Sequence, residues 1–297
     1  MPKRKLKIDL TKNIKKLEIT TRKLVGSGLV GSYKSAFKGR GLEFTNYRDY
    51  TQNDDASAID WKASVRTGKL LIKQYEEERK IDVFFLIDVS SSMVFGSTDK
   101  LKNEYAAELA ASLAFTILEA GDEVGFGLFN DKMDIISHPT SGKHQFFSLA
   151  KALSNPINYG GNYDLDNAIK HLLNFLPSGA LLIIISDFIG LKGDWTHYLK
   201  TASGKFDIIA IKITDPRDIK LPAESYNIML ADPYSNKTVV IDPLYAKLEY
   251  EQYVTEQKRL LEDSFMKMHI DILDLSTDKS FIQPLINFFM RRHRKWR

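Results

Sequence analysis

The run "IDVFFLID" (81–88) carries five consecutive apolar residues between two aspartates, and "ALLIIIS" (180–186) and "FDIIAIKI" (206–213) are nearly as apolar. A strand with one face in water alternates apolar and polar residues, whereas one buried on both faces reads as a continuous apolar run. Both faces of these strands therefore have to be covered. Amphipathic stretches of helical spacing separate them: 100–120 ("KLKNEYAAELAASLAFTILEA"), 143–153, 164–176 and 195–203. "DEVGFGLFN" (122–130) adds a strand, and "KMDIISH" (132–138) pairs beside it as a hairpin. A β excursion over 226–241, a long helix over 244–268, the strand "HIDILDL" (269–275) and a helix over 279–290 complete the order. The pattern predicts an α/β fold, a three-layer, doubly wound, mostly parallel sheet of Rossmann-like type.

Before residue 80 the text changes. Leu6, Leu10, Ile14, Leu17, Leu24 and Val25 have helical spacing, "GSGLVGSYKSAFKGRG" (26–41) reads as a Gly/Ser-rich loop, and 42–80 mixes short β-prone runs with polar turns. The expected division is a helix with a small β-containing N-terminal lobe at 1–79, the main domain at 80–292 and a basic tail at 293–297. Trp61 is expected to be buried, anchoring the lobe to the main sheet, while Arg48, Arg66, Asp54 and Asp60 pair within it. Glu76, Glu77 and Glu78 are expected to face solvent.

Charge is uneven. Of the 42 Lys/Arg and 38 Asp/Glu, residues 1–23 hold nine and two, and 291–297 hold five and none. The intervening 28 basic and 36 acidic residues leave that stretch at −8. A basic end can hold nucleic acid, but the acidic body and the lack of any RNA- or DNA-reading motif argue against it. The apolar runs are far shorter than the ~18 residues of a membrane span, and the start lacks a secretion signal. The cytoplasm is the expected compartment.

Chemistry gathers at three polar segments: "DVSSSM" (88–93), "GGNYDLD" (160–166) and Asp187 at the end of "ALLIIIS". In a doubly wound sheet such segments meet at the carboxyl ends of the strands. Asp88, Ser90, Ser92 and Asp187 are hard-oxygen donors suited to Mg²⁺ or Mn²⁺. With few direct carboxylates, the cation attracts one more anionic oxygen, which a Glu or Asp of a partner can supply. Catalytic residues are not expected. Phosphoryl-transferring hydrolases of similar sheet use Asp-x-Asp, and Ser90 stands at the second place. A nucleophile elbow, a phosphate loop and an HExxH zinc pair are all absent. A metal-dependent hydrolase and a nucleic-acid binder using the basic termini remain the alternatives to a recognition module.

Asp88-x-Ser90-x-Ser92 followed by Asp187 resembles the metal-ion-dependent adhesion site of von Willebrand factor A domains. The stretch "EFTNYRDYTQNDDASAIDWKASVRTGKLLIKQYEEER", with Arg48, Tyr50, Asp54, Asp55, Ile59, Asp60, Trp61, Arg66 and Glu77, resembles the bacterial and archaeal family called domain of unknown function fifty-eight, as does "LSTDKSFIQPLINFFMRR". The resemblance covers roughly 40–292. It implies a von Willebrand A-type sandwich that works as an adaptor or assembly factor with a MoxR-type AAA+ ATPase, or on a client of that pair. Two departures stand out. Tyr163 occupies the place where such domains put a Thr ligand, leaving Asn162 and Asp164 as substitutes, and Ser57 stands where relatives commonly carry Arg.

Overall fold

The computed structural model describes residues 29–37, 43–51, 54–76, 80–222, 226–235 and 237–295. The amphipathic pattern expected over residues 6–25 lies outside them, as do Glu77, Glu78 and most of the basic ends. The elements in chain order are α1 (Val30–Phe37), β1 (Glu43–Asp49), α2 (Trp61–Thr67), β2 (Leu71–Glu76), β3 (Asp82–Asp88), α3 (Lys102–Glu119), β4 (Glu123–Phe129), β5 (Ile135–Thr140) and α4 (Lys143–Ser154). There follow α5 (Leu165–Phe175), β6 (Leu181–Ser186), α6 (Thr196–Ser203), β7 (Asp207–Thr214), the short α7 (Pro216–Ile219), β8 (Ile228–Ala231), β9 (Thr238–Ile241), α8 (Pro243–Lys267), β10 (Asp271–Ser276) and α9 (Ile282–Lys295).

Six strands form the main sheet in the order β10-β7-β6-β3-β4-β5. All neighbours are parallel except β4 and β5, which form the expected hairpin. The continuous apolar runs explain the layering. Along β3, Val83, Phe85 and Ile87 enter the cluster covered by α1, α3, α4 and α9, while Phe84 and Leu86 enter the one covered by α5, α6 and α8. These five side chains are at most 1% exposed, a gross hydrophobic contribution on the order of 10 kcal/mol. From β3 the chain builds outward through β4 and β5, then returns to β6 on the other flank. The switch in strand order therefore falls between β3 and β6, the two strands that end in Asp88 and Ser186-Asp187.

Three expectations for the N-terminal part need correction. The stretch 26–41, read as loop, contains α1, because Leu29 and Tyr33 bury completely in the main core. The Tyr33 hydroxyl donates to Asp122 Oδ2 at 2.9 Å, and Asp122 Oδ1 accepts from the Ile81 amide at 3.0 Å, which pins α1 to the start of β3. The main core thus begins before residue 80. The lobe itself is the antiparallel pair β1–β2 carrying α2. Trp61, expected to be its buried anchor, is 64% exposed. Asp60 caps α2 by accepting from the Lys62 and Ala63 amides, and this start sets Trp61 on the outer face, while Ser64 turns inward and accepts from the Leu71 amide. Arg48 pairs bidentately with Asp54 at 2.6 Å, as expected. Asp60, however, takes Lys73 at 3.1 Å, and Arg66 is exposed. Among the described residues, no helix is long and apolar enough to cross a membrane.

Candidate functional site at the carboxyl ends of β3 and β6

β3 ends in an aspartate whose own carboxylate turns the chain: Asp88 Oδ1 accepts from the Ser90 amide at 2.8 Å. Such local acceptance by Asp is a common means of ending a strand in a tight turn. A single 3-10 turn, Ser91–Met93, follows, with Met93 fully buried as its anchor. Ser90 and Ser92 consequently face the same way, with their hydroxyl oxygens 3.3 Å apart. The glycine turn docks against this loop. The Gly160 amide donates to Val89 O at 2.8 Å, and the Ser91 amide and hydroxyl donate to Gly161 O at 3.1 and 2.9 Å. Gly161 has φ +84°, and a Cβ there would lie 2.9 Å from Asp131 Oδ1 and 3.0 Å from Asn130 Nδ2, so the close approach requires glycine.

On the neighbouring strand, the Ser186 hydroxyl donates to Asp88 Oδ2 at 2.7 Å and accepts from the Phe188 amide. Asp187 Oδ1 accepts from the Ile189 amide at 2.9 Å. This tight exit puts Phe188 at φ 56°, a left-handed conformation that costs a bulky residue. Asp88, Ser90, Ser92 and Asp187 are all at most 2% exposed. The four residues expected from the sequence are therefore brought to one end of adjacent strands. The other two lie on the docked glycine turn and at the start of the helix after it, with exposed side chains. Asp164 is exposed and uses its carboxylate to cap α5 at the Asn167 amide, and Asn162 is exposed on the glycine turn. Tyr163 points inward instead: its ring meets Phe129 edge-on, and its hydroxyl lies 3.5 Å from Ser186 Oγ. The phenol reaches toward the serine that donates to Asp88.

Two further residues complete the site. Lys102, from the first turn of α3, sends a buried ammonium to Asp187 Oδ2 at 2.7 Å and to Asp218 Oδ2 of α7 at 3.1 Å. Phe95 lies 5.6 Å from it, ring centroid to nitrogen. Tyr234, from the β8–β9 turn, donates its hydroxyl to Ile189 O at 2.6 Å and sits 3.3 Å from Ser90 Oγ. Sequence reasoning missed both. Lys102 reads as an ordinary helix lysine and Tyr234 as part of a peripheral hairpin. Ser186, which donates to Asp88, was also missed although it adjoins Asp187 in "IIISD".

The electrostatics follow from burial. Desolvation, aided by the charge of Asp187, pushes the Asp88 carboxyl up to about 7, against the opposing pull of hydrogen bonds from Ser186 and Ser90. Burial alone would lower Lys102, but the carboxylates of Asp187 and Asp218 outweigh it and hold the ammonium. Burial raises Asp218, with Lys102 opposing. Burial, then the charge of Asp88, raises the Tyr163 phenol well above its ordinary value, so it stays neutral.

The donor chemistry suits a small hard cation: two serine hydroxyls in contact with one another, the Asp88 carboxylate beside them and Asp187 across the strand junction. Negative charge is scarce. Among the described residues no three His, Cys, Asp or Glu cluster as a metal-binding group, and Asp187 already shares its charge with Lys102. An ion held by Asp88, Ser90, Ser92 and Asp187 would bring Lewis-acid charge and open coordination positions. The chain's own groups position the oxygens and keep most water away.

The fold and this cluster define a class: an open-sheet α/β domain whose polar residues converge at the topological switch point. More particularly, the chain belongs to the family described as protein of unknown function DUF58, whose profile matches residues 46–260. Its relatives include the uncharacterized proteins Mb1516 of Mycobacterium bovis and Rv1480 of Mycobacterium tuberculosis, each 25% identical over 285 residues, 95% of this chain and 89% of theirs. Another is the uncharacterized protein YeaD of Bacillus subtilis, 28% identical over 97 residues, 33% of this chain and 22% of that one. Similar solved structures include the conserved hypothetical protein BatB of Bacteroides thetaiotaomicron (17% identity, 72% of this chain and 99% of that one, TM-score 0.46). The SpRpn10 VWA domain is another (11% identity, 70% and 95%, TM-score 0.41).

Proposed function

We propose that this protein is a recognition module whose binding centre is the rim formed by Asp88, Ser90, Ser92 and Asp187. The observation that carries the reading is the convergence of two buried carboxylates and two touching serine hydroxyls at the switch point, bordered by exposed Val94, Phe95 and Ile189. Buried polar oxygens within an apolar border suit a protein partner, because the border supplies contact area while the centre supplies direction. In this reading Mg²⁺ or Mn²⁺ rests on Asp88, Ser90, Ser92 and Asp187. Because Lys102 already offsets Asp187, the ion retains positive charge for a Glu or Asp of the partner. That partner is a MoxR-type AAA+ ATPase or a client protein of the pair.

The serines speak for recognition rather than catalysis. The Ser90 hydroxyl touches Ser92 and Tyr234, two groups that do not act as a general base at neutral pH. The experiment is a pull-down of the cognate ATPase with wild-type protein, with and without chelator, and with Asp88→Ala. Loss of association in both perturbed arms supports the reading. Undiminished association in both contradicts it.

A further inference from the structure

The β8–β9 hairpin stands apart from the sheet, with Met229, Val239 and Val240 more than half exposed. Its turn, however, is tightly built. Asp232 accepts from the Tyr234 amide at 2.9 Å and from the Ser235 hydroxyl at 2.5 Å, and its own amide donates to Lys237 O at 2.8 Å. The effect is to aim Tyr234 at the binding centre. Its ring packs with the cluster behind β6 and lies over Gly190, where a Cβ would come within 2.9 Å of the ring. Gly190 has φ +104°, so the backbone there accepts both the conformation and the ring. Since the phenol proton goes to Ile189 O, the oxygen that faces Ser90 is an acceptor.

An acceptor oxygen set against the Ser90 hydroxyl, itself 3.3 Å from that of Ser92, stands on the side from which a ligand of this rim would come. We propose that Tyr234 is an intramolecular pseudoligand: the β8–β9 hairpin latches its phenol onto the Ser90–Ser92 rim, and the latch lifts before a cation and a partner carboxylate enter. This rests on the rim being the binding centre. The hairpin then reports occupancy, because an arm fastened at its tip and exposed along its strands is released when the tip is displaced. Release also frees the ring of Tyr234 and uncovers Gly190, adding apolar surface beside Ile189.

The test is calorimetric titration of Mn²⁺ into chelator-stripped wild-type, Tyr234→Phe and Tyr234→Ala proteins, with amide exchange followed over 228–235. Tyr234→Phe keeps the ring over Gly190 and removes only the hydroxyl. It is expected to tighten Mn²⁺ binding roughly 3- to 10-fold, the equivalent of one or two modest hydrogen bonds, and Tyr234→Ala at least as much. Mn²⁺ is also expected to speed exchange over 228–235 in the wild type. Equal affinity in wild type and Tyr234→Phe overturns the latch and leaves the rim standing. No binding to any of the three at millimolar Mn²⁺ overturns the rim as a cation site, and the latch with it.

Discussion

Lys102→Met tests how the site balances its charge. The ammonium it removes is 2.7 Å from Asp187 and 3.1 Å from Asp218, and both the lysine and Asp187 side chains are 1% exposed. At an effective dielectric of about 20, each contact carries roughly 5–6 kcal/mol of gross attraction. The cost of desolvating the ions cancels much of it, and breaking such a buried pair from one side nets a loss of about 3–5 kcal/mol. Met keeps most of the side-chain volume, so the loss is electrostatic rather than a cavity. Asp218, already raised by burial, loses the opposing pull of Lys102 and binds protons more readily, so the deficit shrinks as pH falls. Urea unfolding of wild type and variant at pH 5 and pH 7.5, in chelator, measures both effects. A variant within about 1 kcal/mol of wild type at pH 7.5, or a deficit no smaller at pH 5, would refute the reasoning.

Asp88→Asn mimics the protonated carboxyl. Because the folded-state value of Asp88 is raised to about 7 from 3.8, its stabilising contribution is complete below pH ~4 and lost as pH rises through ~7. The variant's stability relative to wild type, followed by urea unfolding in metal-free buffer, should therefore climb between those values and level off above them. Trp61→Ala, at an exposed position, should change unfolding free energy by less than about 1 kcal/mol; a loss of several would restore Trp61 as an anchor. Tyr33→Phe removes the hydrogen bond to buried Asp122 and should cost about 1–3 kcal/mol, visible as a lower urea midpoint at unchanged slope.

Legibility followed from the reach of the signal in sequence. The sheet was readable because β3, β6 and β7 are buried on both faces, and only that environment tolerates runs such as "FFLI" and "LLIII". Asp88, Ser90, Ser92 and Asp187 were readable because each lies within a few residues of a strand end. Lys102 was not, since its partners Asp187 and Asp218 are 85 and 116 residues away and meet it only after α3 and α7 are placed. Tyr234 is 144 residues from Ser90, with no local pattern to announce the contact. Trp61 was misjudged for another reason. Size favours burial of a tryptophan, but its position at the start of α2, set by the Asp60 cap, decided its direction. The cap that the Asp164 carboxylate gives to the Asn167 amide was equally illegible, although Asp ahead of an amphipathic run is a common helix start.

Anomalous diffraction from crystals soaked in Mn²⁺ puts the central claim to the most direct test. The account predicts a peak bounded by the Ser90 and Ser92 hydroxyls and the Asp88 and Asp187 carboxylates, absent in Asp88→Ala crystals. An empty rim at millimolar Mn²⁺, or a peak elsewhere on the molecule, would contradict it.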